Sequence, residues 1–256
     1  MSPRNFDRFD GFQIANTVER MKKANTYAII GGTSGMGFGL AQRLVERGDH
    51  VLVGGRSVTR LEQAAKQLGP AAVVRPVDME DRASLAAFFD GFSDLAGLFT
   101  PGASYRTASF READSETAES PFRGKFWAQY WAVHAALPHL AEDAAVLLMS
   151  GAASVRPIGN AAYAACNAAI EGLARALAVE LRPIRVNCLS PGTIDSELWR
   201  NRPVSVREPV FEGWRSLALT GRVGSVDDAV SAALFLLDNG NMTGSTLYND
   251  GGYSMR

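Results

Sequence analysis

Short apolar runs alternate with longer segments of helical periodicity along most of the chain. The runs predict buried strands at residues 27–30, 50–53, 72–77, 95–100, 144–149, 185–189 and 246–249. Helix-like segments follow nearly all of them. Strands that are apolar throughout are typical of a parallel sheet covered on both faces. The pattern therefore predicts a doubly wound parallel sheet in a three-layer α/β/α arrangement.

Three longer helices are predicted from wide apolar faces, at about residues 122–141, 160–181 and 225–237. The last begins with a capping pattern, in which Asp228 follows Ser225 by three residues. Residues 104–121 and 200–222 are polar or mixed and are interpreted as loops. Because a connection as long as the second usually serves as a lid or binding loop, we expect it to line a substrate pocket.

The chain shows no division into separate units. It contains no linker rich in Pro, Gly or Ser, and residues 25–256 are interpreted as one domain after a polar extension at 1–24. The extension lacks the apolar stretch of a signal peptide, and no run is long enough to span a bilayer. These features predict a soluble, cytoplasmic protein.

Composition excludes several other classes of function. The formal net charge of −1 gives no reason to expect nucleic acid or an anionic membrane surface as a partner. Cys166 and Cys188 are too few for a disulfide framework, and no spacing among them and the 3 histidines resembles a metal site. Small molecules are therefore the expected partners.

A glycine cluster lies between the first predicted strand and the first predicted helix. Gly31, Gly35 and Gly37 have the spacing GxxxGxG. In this position a glycine turn lets backbone N–H groups and the helix N-terminus bind a pyrophosphate. A bare turn is the alternative, but the strand-turn-helix context favours dinucleotide binding.

Several motifs together resemble the short-chain dehydrogenase/reductase family, from the first predicted strand to the C-terminus. Residues 30–37 match its TGxxxGxG motif except that an isoleucine replaces the threonine. Tyr163 follows Ser150 by thirteen residues, and residues 191–196 and 250–252 match two further segments. The resemblance implies a Rossmann-type fold and hydride transfer between a nicotinamide cofactor and a carbonyl or alcohol. It also implies a homodimer or homotetramer.

The end of the second predicted strand favours NADP(H) over NAD(H). NAD-specific members of this fold place a carboxylate there for the ribose 2′-OH, whereas the 2′-phosphate of NADP needs positive charge. Here Gly55 removes the carboxylate, and Arg56 is expected to bind the phosphate with Thr33 and Ser34. A solvated surface arginine is the alternative.

The resemblance implies further contacts with the cofactor. The full expected set is Gly31, Thr33, Ser34, Gly35, Met36, Gly37, Arg56, Ser57, Asp78, Met79, Pro101, Gly102, Tyr163, Asn167, Pro191, Gly192, Ile194 and Ser196. Asp78 corresponds to an aspartate that reads the adenine amine, with helix capping as its alternative role. Pro101 stands in the family's NNAG segment and has no N–H to donate. Ser196 replaces a threonine that contacts the nicotinamide carboxamide, and it keeps the hydroxyl.

By the same resemblance Tyr163 is the general acid and Ser150 hydrogen-bonds the substrate oxygen, with Ser154 as a rival at a poorer spacing. A free tyrosine titrates at about pH 10, so a nearby cation is needed to stabilise the phenolate. The family supplies a lysine one helical turn after the tyrosine, but this chain has Asn167 there. Either catalysis has been lost or the charge comes from elsewhere.

Lys125 is the candidate replacement. It lies thirteen residues before Pro138, at the position of the family's catalytic asparagine. The lysine and the asparagine therefore look exchanged, although a solvated helix lysine is the alternative. The expected catalytic set is Ser150, Tyr163, Lys125 and Asn167, without a metal.

The sequence does not identify the substrate. The aromatic residues of the two loops, Tyr105, Phe110, Phe211 and Trp214, fit almost any medium-sized carbonyl or alcohol compound. Two other classes of protein stay open because Asn167 replaces the lysine. They are a non-catalytic NADP(H)-binding sensor and a structural subunit of the same fold.

Overall fold

The computed structural model describes residues 24–255, so most of the expected extension at 1–24 lies outside the described residues. A 7-stranded parallel sheet has the order β3-β2-β1-β4-β5-β6-β9. Its strands are β1 (Thr26–Ile30), β2 (His50–Gly55), β3 (Ala72–Pro76), β4 (Leu95–Phe99), β5 (Leu140–Met149), β6 (Arg185–Pro191) and β9 (Thr246–Asn249). Two short strands, β7 (Ile194–Asp195) and β8 (Gly224–Ser225), pair outside it. Since β1 lies between β2 and β4, the strand order reverses there, and ligands of such sheets bind beside that point.

Helices cover both faces of the sheet. They are α1 (Gly35–Glu46), α2 (Val58–Leu68), α3 (Arg82–Phe89), α4 (Ser115–Pro121), α5 (Ala128–Ala136), α6 (Ala161–Glu180), α7 (Glu197–Arg200), α8 (Val204–Leu217) and α9 (Val226–Asp238). A π-helical turn, Phe122–Trp127, joins α4 to α5, and a 3₁₀ turn, Leu137–His139, leads into β5. Within residues 24–255 no helix combines the length and apolarity needed to cross a bilayer.

Buried apolar side chains from alternate positions of the strands form a core on each face. On one face Ile29 of β1 packs in a cluster with Leu40 of α1. On the other face Ala28 belongs to a cluster with Phe88 of α3 and Ile170 of α6. Burying one such large side chain stabilises the fold by about 1.5–3 kcal/mol. The predicted fold class, a doubly wound three-layer α/β/α sheet, is confirmed.

The predicted helix at 122–141 was wrong at its C-terminal end. The α-helix stops at Ala136, and β5 begins at Leu140 instead of residue 144. Pro138 lies in the intervening 3₁₀ turn. Because proline has no N–H to donate, the helical hydrogen bonding cannot continue through it.

The two predicted loops contain helices. Most of 200–222 is α8, whose Phe211 is 5% exposed and packs edge-on against Trp199. Residues 104–121 include α4, where the Asp114 carboxylate caps the helix by accepting from the Thr117 N–H at 2.8 Å. Charged residues mixed among the apolar ones in 200–222 had hidden the helical period.

Candidate active site

The glycine turn after β1 is packed so closely that side chains do not fit. Gly31 has φ +94°, and a Cβ there would lie 2.5 Å from the Gly102 Cα. A Cβ at Gly37 would lie 2.3 Å from the Gly31 carbonyl oxygen. Ser34 is the N-cap of α1 but its side chain makes no capping hydrogen bond. The first N–H groups of α1 are thus left for a ligand, which fits a pyrophosphate.

A cleft of about 610 Å³ opens at this turn. The expected cofactor residues that line it are Gly31, Thr33, Ser34, Gly35, Met36, Gly37, Arg56, Ser57, Asp78, Met79, Pro101, Gly102 and Ser196. Sequence reasoning missed Arg60, Glu80, Ser104, Glu197, Leu198 and Asn201, which also line it. Arg60 lies on the first turn of α2, four residues after Arg56.

Five expected cofactor residues do not line this cleft. Pro191 is buried at the end of β6, and Ile194 is 5% exposed in β7. Gly192 packs against Trp214, since a Cβ there would lie 2.1 Å from the indole ring. Tyr163 and Asn167 lie on α6, beside the cleft.

Two arginine side chains lie close to the end of β2. Arg56 and Arg60 are exposed, and no carboxylate within residues 24–255 pairs with either. Gly55 lies against Thr33, because a Cβ on Gly55 would be 2.8 Å from the Thr33 Cγ2. The Ser57 hydroxyl caps α2 by accepting from the Arg60 N–H at 3.4 Å. The cleft therefore carries two cations and no carboxylate at the end of β2, which suits a phosphate.

Asp78 does not cap α3. The N-cap of that helix is Asp81, whose carboxylate accepts from the Ala83 N–H at 2.9 Å. Asp78 instead accepts from the Glu80 N–H at 3.0 Å and stays on the rim of the cleft. The capping alternative for Asp78 was wrong.

Lys125 is not a solvated lysine. It is 3% exposed, and its Nζ donates to the Ser150 carbonyl oxygen at 2.8 Å and to the Asn167 Oδ1. The Nζ lies 5.1 Å from the centre of the Tyr163 ring. Burying an ammonium costs several kcal/mol unless polar partners compensate it. These contacts supply that compensation and bring the cation to the tyrosine.

The π-helical turn explains how a lysine on this helix enters the site. Such turns interrupt the regular 3.6-residue spacing and are frequent at functional sites. The turn also lies against the loop that follows β4: Ser104 N–H donates to the Gly124 carbonyl at 3.1 Å. A Cβ on Gly124 would lie 1.8 Å from the Ser104 carbonyl oxygen, so only glycine permits this approach.

Asn167 is fully buried, one turn after Tyr163 on α6. Its Nδ2 donates to the Tyr163 carbonyl oxygen at 3.0 Å, and its Oδ1 accepts from Lys125. The lysine and the asparagine thus contact each other directly. The two positions that look exchanged in the sequence are neighbours in space.

Ser150 does not present its hydroxyl to Tyr163. The residue is 2% exposed, and its Oγ donates to Glu171 Oε1 at 2.8 Å and lies 3.2 Å from the Asn167 carbonyl oxygen. Ser154 also donates to Glu171 Oε1. Both candidate serines therefore bind Glu171, a buried carboxylate that sequence reasoning missed. The expectation that Ser150 holds the substrate oxygen does not agree with this geometry.

Gly151, the next residue, faces the tyrosine instead. A Cβ on Gly151 would lie 3.3 Å from the Tyr163 Oη. Side chains of consecutive residues at the end of an extended strand point in opposite directions. The residue at which a serine hydroxyl would meet Tyr163 is therefore a glycine.

Tyr105 lies against Tyr163 from the other side. The two rings stack with their centres 4.9 Å apart at 26°. Burial alone would raise the pKa of Tyr163, but the Lys125 cation and the neighbouring side chains of Tyr105 and Asn167 bring that pKa below its usual value. Burial and the neighbouring Tyr163 raise the pKa of Tyr105. Of the two phenols, Tyr163 thus has the lower pKa.

The expected aromatic lining of the substrate pocket is only partly present. Phe110 is 84% exposed and lines a mostly apolar cavity of about 290 Å³ that reaches Tyr163. Phe211 is buried, and Trp214 stacks on Tyr253 at 4.4 Å between ring centres. Neither Phe211 nor Trp214 lines this cavity.

The glycine turn lies where the strand order of the doubly wound sheet reverses, and a tyrosine lies beside a buried cation. This combination is typical of a dinucleotide-binding oxidoreductase. The chain belongs to the short-chain dehydrogenase/reductase family, and the family model described as enoyl-(acyl carrier protein) reductase matches residues 31–254. It is 30% identical to galactitol 2-dehydrogenase (L-tagatose-forming) of Cereibacter sphaeroides, over 89% of this chain and 94% of that protein.

Two solved structures show the same architecture. A small-chain dehydrogenase in complex with NADPH is 28% identical, with a TM-score of 0.75 over 91% of this chain and 100% of that one. A short-chain oxidoreductase from Burkholderia thailandensis is 27% identical, with a TM-score of 0.83 over 92% of this chain and 94% of that one.

Proposed function

We propose that this protein catalyses the NADP(H)-dependent reduction of a carbonyl compound, or the reverse oxidation of an alcohol, with Tyr163 as the general acid and base. The observation that carries the proposal is the buried Lys125 ammonium 5.1 Å from the Tyr163 ring. A cation so placed supplies the charge that the usual lysine, replaced here by Asn167, would supply.

The residues around the glycine turn fit a dinucleotide with a 2′-phosphate. The turn and the N-terminus of α1 would hold the pyrophosphate. Arg56 and Arg60, with the hydroxyls of Thr33 and Ser57, would hold the 2′-phosphate. When bound, the nicotinamide supplies or accepts the hydride. That a similar dehydrogenase is solved in complex with NADPH supports this choice of cofactor.

The residues of the chain would then handle the proton. In the direction of reduction, the substrate carbon gains the hydride and its oxygen takes the Tyr163 hydroxyl proton, so that C=O becomes CH–OH and the tyrosine becomes a phenolate. Lys125 stabilises that phenolate, and Asn167 holds the ammonium in place by accepting one of its hydrogen bonds. In the direction of oxidation the same steps run backwards.

The rival classes, a cofactor sensor and a structural subunit, have no need of a tyrosine with a lowered pKa beside a buried cation. The observation in their favour is the absence of the family lysine at Asn167. We further propose that the protein is cytoplasmic, forms a homodimer or homotetramer, and acts on a small carbonyl or alcohol compound.

The test combines cofactor binding with turnover. NADPH fluorescence should change on mixing with the protein, and absorbance of NADPH should then decay with at least one member of a panel of aldehydes, ketones, keto sugars and 3-oxoacyl thioesters. Tyr163→Phe should keep NADPH binding while turnover falls by orders of magnitude. Binding without turnover on the whole panel would favour the sensor, and turnover unaffected by Tyr163→Phe would refute the assigned role.

A further inference from the structure

We propose that Tyr105 is a positioning residue whose hydroxyl stabilises the phenolate of Tyr163, a role that neither candidate serine can take. The inference rests on the proposed function and deepens it. In this arrangement two stacked tyrosines and one lysine form the site, and the two serines are part of the buried support beneath it.

The hydroxyl groups of Ser150 and Ser154 both point to Glu171. Ser150 and Ser154 both donate to Glu171 Oε1, and Tyr248 donates to its Oε2 at 2.8 Å. An ionised carboxylate only accepts hydrogen bonds, and three hydroxyl donors suit it. Because a serine hydroxyl has one proton, Ser150 cannot donate to Glu171 and to a substrate oxygen at the same time.

The backbone of Gly151 lies next to the hydroxyl group of Tyr163. Gly151 provides no side chain there, and even its Cβ would approach the Tyr163 Oη to 3.3 Å. Any second hydroxyl group next to the Tyr163 oxygen therefore comes from another element. The loop after β4 carries one, on Tyr105.

Tyr105, on the loop after β4, lies directly against Tyr163. Its ring stacks on that of Tyr163, with the ring centres 4.9 Å apart at 26°. The Lys125 Nζ lies 5.9 Å from the centre of the Tyr105 ring. Tyr105 is 37% exposed. Tyr105 is consequently placed to act on Tyr163 itself, and it does not line the apolar cavity that reaches Tyr163.

The chemistry follows from the different acidities of the two phenols. When Tyr163 gives its proton to the substrate oxygen, negative charge is left on the Tyr163 oxygen. Tyr105 donates its O–H to that oxygen and keeps its own proton throughout, so it stabilises the phenolate without being consumed. Hydrogen bonds to a charged group are about twice as strong as neutral ones. Tyr105 should thus lower the pH at which Tyr163 ionises.

The experiment is a tyrosinate absorption titration of the protein without cofactor or substrate. The ionisation of Tyr163 is the component that disappears in Tyr163→Phe. In Tyr105→Phe this component should move up by about one pH unit, the equivalent of one hydrogen bond to a charged oxygen. Ser150→Ala should leave it unchanged, because that hydroxyl binds Glu171. Tyr130→Phe, which removes a tyrosine on α5, is the matched control and should also leave it unchanged.

The two proposals fail in different ways. An unshifted midpoint in Tyr105→Phe, or a shift of similar size in Ser150→Ala, would overturn the role of Tyr105 whether or not a substrate is found. A shifted midpoint with no turnover on any carbonyl compound would uphold the tyrosine pair and overturn the proposed function. Where turnover is found, Tyr105→Phe should lower kcat more than Ser150→Ala does.

Discussion

Replacing Lys125 by methionine tests the cation beside Tyr163. Methionine keeps the apolar stem of the side chain and removes the charge, together with the hydrogen bonds to the Ser150 carbonyl oxygen and Asn167 Oδ1. At the observed 5.1 Å between Nζ and ring centre, a unit charge interacts with a phenolate by about 3 kcal/mol at an effective dielectric constant of about 20. Solvent at the rim of the site weakens this, so we expect the pKa of Tyr163 to rise by about one to two units.

Loss of the Lys125 cation should affect oxidation and reduction in different ways. Tyr163 has a lowered pKa in the intact protein, and the Lys125 cation is the main group that lowers it. Without the cation, oxidation, which needs the phenolate, should require a higher pH. Reduction should slow at neutral pH because the charge that forms on Tyr163 is no longer balanced.

The assay is the pH dependence of turnover together with a tyrosinate titration, and a melting curve shows that the variant is folded. Lys66→Met is the matched control, because Lys66 is exposed on α2. It should shift neither curve. A pH profile for Lys125→Met that coincides with that of the intact protein would refute the assignment of Lys125 as the cation.

Three further predictions concern the cofactor and the scaffold. Arg56→Ala combined with Arg60→Ala should weaken NADPH binding by about tenfold or more and leave NADH binding nearly unchanged, because two charge-assisted contacts to the 2′-phosphate are lost; equal losses for both cofactors, measured by fluorescence titration, would argue against that site. Gly124→Ala should lower kcat and the melting temperature together, since its Cβ would lie 1.8 Å from the Ser104 carbonyl oxygen; an unchanged crystal structure and kcat would contradict this. Ser225→Ala removes the capping box at the start of α9 and should cost about 1 kcal/mol of unfolding free energy without altering kinetics, to be checked by denaturant unfolding.

The sheet could be predicted because its strands are buried on both faces and therefore read as uninterrupted apolar runs. The helix Val204–Leu217 could not, since Pro203, Pro209 and alternating charges resemble a loop. The boundary near Pro138 was also missed, although a proline there is itself the signal for the end of the helix. Periodicity thus identified the buried elements and failed on an element with only one buried aromatic residue.

Within the site, spacing located residues but did not determine where their side chains point. Counting from Pro138 found Lys125, and the structure places it beside Asn167. The same kind of counting selected Ser150, whereas the residue that faces Tyr163 is Gly151. At the end of a strand a shift of one residue reverses the direction of the side chain. Glu171, a glutamate in the apolar stretch of α6, was the available sign that the Ser150 hydroxyl would bind a buried carboxylate instead of facing Tyr163.

The exchange between positions 125 and 167 is the central claim, and a double-mutant cycle tests it most directly. Lys125→Asn removes the cation, and Asn167→Lys places two ammonium groups together in a buried site, so each change alone should reduce turnover strongly. The combined variant restores one cation and one amide at contacting positions and should recover activity, with a coupling energy of about 2 kcal/mol or more. Purely additive losses in kcat would contradict the account.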